Sequence, residues 1–337
     1  MNGMGSVGGG DAGLIDGFGR AIRYLRVGVT DRCDLRCTYC MPKGFKGFEE
    51  PEHWLTLEEI ERVVGVFAKL GVSRVRLTGG EPLLRRNISQ LASRIAHLPG
   101  IVDLSMTTNG TTLAKHAKAL RAAGVSRLNI SLDSLSKACV TQITGREDAF
   151  DRVMQALEAA QAAGFAPIKI NMVVMPGVND QEIAGMVEFC MRRGFVLRLI
   201  ETMPVGNNAR QLGTLPLTQI LEDLKQRFDL VPEIMPMGGG PARYWRQAHG
   251  QGQIGVITPI SQHFCETCNR VRLDVGGTLY LCLGQDDTLE LRPLLRGGIS
   301  DAALSEAIKD AVLKKPWRHE FNDKPEKVMR FMSQTGG

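Results

Sequence analysis

The sequence predicts an α/β protein built on parallel strands with helical crossovers, followed by a second region of different texture. Three observations carry that reading. Between about residues 22 and 228, short β-branched segments alternate six times with amphipathic helical segments. The strand candidates are bounded by Gly, Asp or Asn, and the clearest helical stretches close on Gly. From about residue 230 the alternation gives way to Gly/Pro-rich sequence and shorter strands. Strand–helix repeats of this kind require right-handed crossovers between parallel strands. A partial or full barrel and an open doubly wound sheet both satisfy that pattern. In either, functional loops follow the C-terminal ends of the strands.

Taken in order, residues 1–20, "MNGMGSVGGGDAGLIDGFGR", are Gly-rich with no basic n-region or apolar h-region. They read as a mobile leader, not a secretory signal. Strands are predicted at Tyr24–Thr30, Arg74–Gly80, Asp103–Asn109, Arg127–Asp133, Ile168–Val174 and Leu197–Thr202. In "LTLEEIERVVGVFAKLG", Leu57, Ile60, Val63, Val64 and Phe67 share one helical face. Thr56 followed by Glu59 matches a capping box, and Gly71 ends the helix. "RVMQALEAAQAAG" and "QEIAGMVEFCMRRG" repeat the pattern. The first structural unit therefore spans 21–229 and the second 230–337. The second holds strands near Ile254–Pro259, Arg270–Val275 and Thr278–Leu281, and an amphipathic helix over Ala303–Lys315 with Leu304, Ile308 and Val312 in line. Its few apolar segments make a thin core, so it is expected to pack on the first unit as an extension.

The 337 residues have ordinary apolar content, and no run of apolar residues is long enough for a membrane span. The formal charge of +5 is spread along the chain without a Lys/Arg block. Neither nucleic acid nor membrane is indicated as a partner, whereas an anionic small substrate suits the balance. Six of the eight cysteines form two groups, Cys33/Cys37/Cys40 and Cys265/Cys268/Cys282. Clustered cysteines in a long chain without a secretory signal point to metal binding in the cytoplasm, not to a disulfide framework. Cys139 and Cys190 stand alone and read as small apolar residues.

The first group, in "DRCDLRCTYC", has the spacing C-x3-C-x2-C directly after the first strand. A structural zinc site needs four ligands, and no fourth Cys or His lies close. Three thiolates on a four-iron cluster leave one iron open, the mark of a reactive site. With Tyr39 before the last cysteine, this motif resembles the signature of radical S-adenosylmethionine (SAM) enzymes. The resemblance implies that the open iron chelates the methionine part of SAM. Reduction then releases a 5′-deoxyadenosyl radical, with the protein binding, orienting and shielding. "TGGEP" (Thr78–Pro82) agrees: Gly79 and Gly80 permit close backbone approach, Glu81 can accept from an ammonium group, and the family holds the SAM amino end there. "NISLDS" places Ser131 at the end of the fourth strand, where the family meets SAM.

The second group has the spacing C-x2-C-x13-C. His263 makes a Cys3His zinc site one reading, and a second open 4Fe-4S cluster is the other. Arg270 and Arg272 alternate along a predicted strand and suit a phosphorylated substrate better than structural zinc. The pairing of both cysteine motifs resembles the GTP 3′,8-cyclase family of molybdenum-cofactor biosynthesis. So do "GRAIRYLRVGVTDRCDLRCTYCMP", "RLTGGEPLLRR", "TTNG", "GVND", "RLIETMPVGN" and the final "TGG". The fold implied is a partial (β/α)6 TIM-like barrel of the radical SAM type, with a C-terminal extension carrying a second iron–sulfur cluster.

That resemblance implies two 4Fe-4S clusters, the first binding SAM and the second binding GTP. The matching SAM contacts are Tyr39, Gly80, Ser131 and Met203. The matching GTP contacts are Arg26, Arg76, Thr107, Lys169 and the run Arg270–Val271–Arg272. Lys169 and Arg76 sit among apolar strand residues, where a purely solvated charge is out of place. The implied reaction converts GTP to (8S)-3′,8-cyclo-7,8-dihydroguanosine 5′-triphosphate, the first step of molybdopterin biosynthesis. Implied partners are an external electron donor and cyclic pyranopterin monophosphate synthase as product acceptor, with a homodimer left open. The final Gly336 and Gly337 are expected to enter the barrel and orient substrate, their carboxylate end facing cations such as Arg26 or Arg76. Other readings are a different radical SAM enzyme with an auxiliary cluster and a non-catalytic iron–sulfur or zinc protein. The former carry longer cysteine-rich C-terminal segments than this chain has.

Overall fold

The computed structural model describes residues 13–40, 51–205, 213–233, 239–323 and 332–335. Six parallel strands form its centre: β1 (Tyr24–Gly28), β2 (Arg74–Thr78), β3 (Asp103–Thr108), β4 (Arg127–Ser131), β5 (Ile168–Val174) and β6 (Val196–Glu201). All lie within the expected segments except β6, which is shifted by one residue. The helices between them are α1 (Leu57–Lys69), α2 (Ile88–Ala96), α3 (Leu113–Ala122), α4 (Lys137–Thr144), α5 (Ala149–Ala162) and α6 (Ile183–Arg193). The capping box of α1 is formed: Glu59 N–H donates to Thr56 Oγ1 (3.1 Å), and Thr56 N–H to Glu59 Oε2 (2.8 Å).

Strand alternation sorts the side chains. Leu25, Val27, Val75, Leu77, Leu104, Met106, Leu128, Ile130, Ile170, Met172, Leu197 and Leu199 join one buried apolar core. The alternate residues are polar and also buried: Arg26, Arg76, Ser105, Asn129, Lys169 and Arg198. A strand covered on both faces normally reads as continuous apolar sequence. Here the second face is lined by cations and amides, so it must enclose a polar site.

The later region differs from the expected packed-on extension. After α7 (Leu217–Phe228) come β7 (Leu230–Glu233), β8 (Arg243–Gln247), β9 (Gln253–Ile257), β10 (Arg270–Leu273), β11 (Thr278–Tyr280) and β12 (Thr288–Glu290). The sheet order is β12-β11-β10-β1-β2-β3-β4-β5-β6-β9-β8-β7. β10 joins β1 in parallel, and β9 joins β6 in parallel. The C-terminal region thus continues the sheet at both edges. Physically, it satisfies the unpaired backbone that β1 and β6 would otherwise present, which no local sequence pattern reports. The sheet does not close on itself among the described residues. α8 (Leu291–Arg296) and α9 (Asp301–Leu313) follow, α9 starting earlier than expected because Ser300 Oγ caps it, accepting from Ala303 N–H (3.2 Å). Last comes α10 (Met332–Thr335).

The Gly-rich composition also predicts a mobile leader through residue 20, and residues 13–20 differ. Leu14 enters the core. Arg20 Nε pairs with Asp16 Oδ2 (2.6 Å), while Arg20 Nη1 donates to the carbonyls of Cys265 (2.7 Å) and Trp317 (2.7 Å). This segment is held by tertiary partners far along the chain, so its local composition misleads.

Candidate active site

The loop leaving β1 carries the first cysteine group, and β2 holds it from the side. Gly80 N–H donates to Thr30 O (2.8 Å) and Glu81 N–H to Arg32 O (2.7 Å). A Cβ on Gly79 or Gly80 would overlap the Thr30 or Arg32 carbonyl oxygen, so only glycines let these two loops touch. Gly79 also has φ +140°. Glu81 departs from the expected ammonium acceptor. It is fully buried and accepts from Leu83 N–H (3.0 Å), Thr108 Oγ1 (2.8 Å) and Asn109 N–H (2.6 Å). Its oxygens are committed to the chain's own loops. Burial pushes its carboxyl up to about 7 against those hydrogen bonds.

Cys33, Cys37 and Cys40 border one cavity together with Tyr39, Gly80, Ser131 and Met203. Burial pushes the Cys33 and Cys40 thiols up to about 12 and Cys37 well above its ordinary value. Tyr39 OH donates to Asp133 Oδ2 (2.8 Å), and Val173 N–H donates to Asp133 Oδ1 (2.8 Å). Burial raises the Asp133 carboxyl to about 6. From the "GVND" loop, Asn179 Nδ2 donates to the carbonyls of Asp133 (2.7 Å) and Val173 (2.9 Å), joining the ends of β4 and β5. The main-chain N–H of Ser333 reaches Cys40.

A second cavity is bordered by Cys265, Cys268 and Cys282 with Arg26, Arg76, Arg198, Arg270, Arg272 and Lys315. In-register pairing sets Arg272 beside Arg26 and Arg26 beside Arg76 on three neighbouring strands. Among the described residues bordering this cavity there is no carboxylate. Burial opposes ionisation of Cys268, but the Arg270 and Lys315 charges outweigh it and bring the thiol down to about 7. Burial, then like charges, push Arg26 well below the usual arginine range. Burial and neighbouring Arg270 bring Arg272 to about 10. Both shifts come from burial and from like charges crowded on neighbouring strands. The Nε atoms of Arg26 and Arg270 are buried without a hydrogen-bond partner. The two cavities share Asn171, Ile200, Met203 and Met332 as walls.

Not every expected contact falls where its motif implies. Thr107 borders the first cavity, not the second. Lys169 borders neither; it lies buried with Nζ 3.1 Å from Tyr244 OH. Burial, then the Arg198, Arg127 and Arg76 charges, lower Lys169 to about 7. Val271 borders the second cavity, but its side chain belongs to the apolar core, because alternation turns it away from its arginine neighbours; its main chain is what it can offer. Gly336 and Gly337 lie outside the described residues. Arg198, Asn171, Asp133 and Lys315 escaped sequence reasoning. The signal for Arg198 was there, since it interrupts the apolar strand "VLRLIE" as Lys169 interrupts "IKINMVV". Cys190 is buried in the core as expected, and Cys139 is partly buried.

The donor sets fit clusters better than zinc. Among the described residues, no fourth Cys or His borders the first cavity, and no three Cys, His, Asp or Glu side chains converge on a single-ion position. A four-iron cluster instead gives each thiolate its own iron. At the second triad His263 is exposed and does not border the cavity. His319 does, but its Nε2 faces Pro259 O (2.8 Å).

Comparison with known proteins agrees with this geometry. The Radical SAM superfamily model matches residues 27–190, and Molybdenum Cofactor Synthesis C matches residues 195–321. The chain is 48% identical over 337 residues to the GTP 3′,8-cyclase of Agrobacterium fabrum, covering 97% of this chain and 95% of that protein. It is 46% identical over 329 residues to the GTP 3′,8-cyclase of Ectopseudomonas mendocina, covering 96% and 98%. Among solved structures, SuiB of Streptococcus suis bound to its precursor peptide SuiA shares the fold. The TM-score is 0.59 at 15% identity, over 88% of this chain and 65% of that one. Paired cysteine triads on adjoining cavities, both family regions and near-full-length relatives agree: this chain belongs to the GTP 3′,8-cyclase family of radical SAM enzymes.

Proposed function

We propose that the chain converts GTP to (8S)-3′,8-cyclo-7,8-dihydroguanosine 5′-triphosphate, the first step of molybdopterin biosynthesis, at the junction of its two cavities. The observation that carries this is the shared wall of Asn171, Ile200, Met203 and Met332 between two cysteine triads. Cys33, Cys37 and Cys40 would hold the first 4Fe-4S cluster and leave one iron for SAM, and Cys265, Cys268 and Cys282 the second. When bound, the first cluster and SAM supply a 5′-deoxyadenosyl radical able to abstract hydrogen from ribose C3′. The residues do the rest. Tyr39, Gly80, Ser131 and Met203 shape the SAM side. Arg26, Arg76, Arg270 and Arg272 take the triphosphate and base edge, their repulsion relieved by the substrate's charge. Thr107, at the first cavity, reaches the ribose end. Arg198 adds its charge from the wall of the second cavity, and Lys169 acts from beneath on the polar face of the sheet. Ile200, Met203 and Met332 on the shared wall keep water from the radical path.

Gly336 and Gly337 follow α10, whose Met332 borders both cavities, which supports their reaching the substrate. An external one-electron donor and a downstream enzyme that rearranges the cyclised nucleotide complete the reading. Among the described residues no helix is long and apolar enough to cross a membrane, compatible with a cytoplasmic setting. The test is anaerobic incubation of reconstituted protein with GTP, SAM and reductant, read by chromatographic separation of the nucleotides and NMR of any new species. A cyclised product isomeric with GTP is expected. 5′-Deoxyadenosine without any change to GTP would assign the second cavity to another substrate.

A further inference from the structure

The loop after β3 carries a side chain that none of the roles above uses. Asn109 Oδ1 faces Thr111 N–H at 2.9 Å, a group that can only donate. That fixes the amide's orientation, so Nδ2 points the other way. It lies 3.6 Å from Cys33 Sγ and 2.8 Å from Asp34 Oδ1. Asp34 is itself held as an acceptor, taking Thr111 Oγ1 (2.7 Å) and Arg146 Nη1 (2.7 Å) on its other oxygen. One Nδ2 proton therefore goes to Asp34, and the other is directed at sulfur. The Asn109 main chain is fastened as well, its N–H donating to Glu81 Oε2 (2.6 Å). The amide cannot leave the sulfur without breaking several of these bonds.

From this geometry we propose that Asn109 is a positioning residue that hydrogen-bonds the Cys33 sulfur and raises the reduction potential of the first cluster. The proposal rests on the radical SAM reading of Cys33, Cys37 and Cys40. A hydrogen bond to a thiolate draws charge off the sulfur, and the reduced cluster, one electron more negative, gains more from it than the oxidised one. Arg146 supports the effect by neutralising Asp34, whose bare charge beside the cluster would act in the opposite direction. Leu35 N–H also donates to Cys33 Sγ (3.4 Å), so Asn109 modulates a sulfur that the main chain already touches.

The test is an EPR-monitored redox titration of the reconstituted full-length protein. The first cluster's signal is identified by its change on adding SAM. Asn109→Ala is compared with Thr111→Val, which removes a hydroxyl 2.8 Å from Asn109 Oδ1 and 2.7 Å from Asp34 Oδ2 yet leaves the Thr111 N–H on the amide oxygen and both Nδ2 protons in place. The expected result is a more negative midpoint for Asn109→Ala, a distinctly smaller shift for Thr111→Val, whose loss only bares part of the Asp34 charge, and equal iron in both. An unaltered midpoint in Asn109→Ala, or an equal shift or equal iron loss in both variants, would overturn the proposal, because the loop would then be only structural. Should Asn109→Ala alone lose iron, Asn109→Asp decides. It keeps the shape while exchanging the donors for a charge, and a retained cluster at the parent midpoint would refute the role. Iron and sulfide counts on the parent protein stand apart from this outcome: no cluster there would fail the radical SAM reading itself.

Discussion

At the scale of single residues, the polar face of the sheet is held in electrostatic tension. Lys169 sits at about 7, against an unfolded value of about 10.4. Between those values the unfolded chain binds the extra proton, so stability from this site rises with pH from about 7 upward, and the penalty is complete below it. Thermal melts of the parent and Lys169→Met should therefore converge or cross as pH climbs from about 6 to 9, the parent gaining on the variant. A parallel pair of curves would mean that Lys169 is not under this strain. A bound triphosphate works in the other direction, restoring the lysine's proton. GTP binding near neutral pH should then take up protons, seen as a binding enthalpy that varies with the buffer's ionisation heat. Lys169→Met should lose that dependence.

Among elements, the join between β6 and the C-terminal region depends on Glu201. Buried at the end of β6, it accepts from Leu217 N–H (3.3 Å), Ile260 N–H (3.2 Å), Ser261 N–H (3.1 Å) and Ser261 Oγ. One carboxylate thus ties a strand of the first unit to the start of α7 and to the loop after β9. Glu201→Ala should cost about 3 kcal/mol or more, because several buried donors lose their acceptor together. Glu201→Gln, which keeps one carbonyl acceptor, should cost less. Denaturant unfolding of both variants checks the order, and equal losses would show that volume alone matters there. Little of this was legible in "RLIETMP": a glutamate at a strand end reads equally as a solvated charge, and its donors are far along the chain.

Across the whole molecule, the two cysteine triads border two cavities with a common wall. Cys268→Ala should abolish GTP turnover yet leave uncoupled SAM cleavage, because Cys33, Cys37 and Cys40 border the other cavity. 5′-Deoxyadenosine released without cyclised product is the expected reading; cyclisation at the parent rate would make the second triad structural. Removing Gly336 and Gly337 should leave the iron content and GTP binding near the parent's while product formation falls strongly. A peptide ending in Gly-Gly should restore part of it, and full activity of the truncated chain would discard the role.

What the sequence by itself determined is local chemistry and period. The six strands and their crossovers follow from alternation, and the two triads from cysteine spacing. Arg76 and Lys169 were conspicuous because a cation in an apolar strand needs a partner. These signals lie within a few residues of one another, where covalent geometry sets what faces what. Only the tertiary structure decided which strands close the two edges of the sheet, that residues 13–20 are anchored by Arg20, that Glu81 serves the loops, and that Thr107 borders the first cavity while Lys169 lies beneath. Each of these depends on groups distant in sequence meeting in space. Unpaired backbone and buried polar atoms must be satisfied somewhere, but the local sequence does not say by whom.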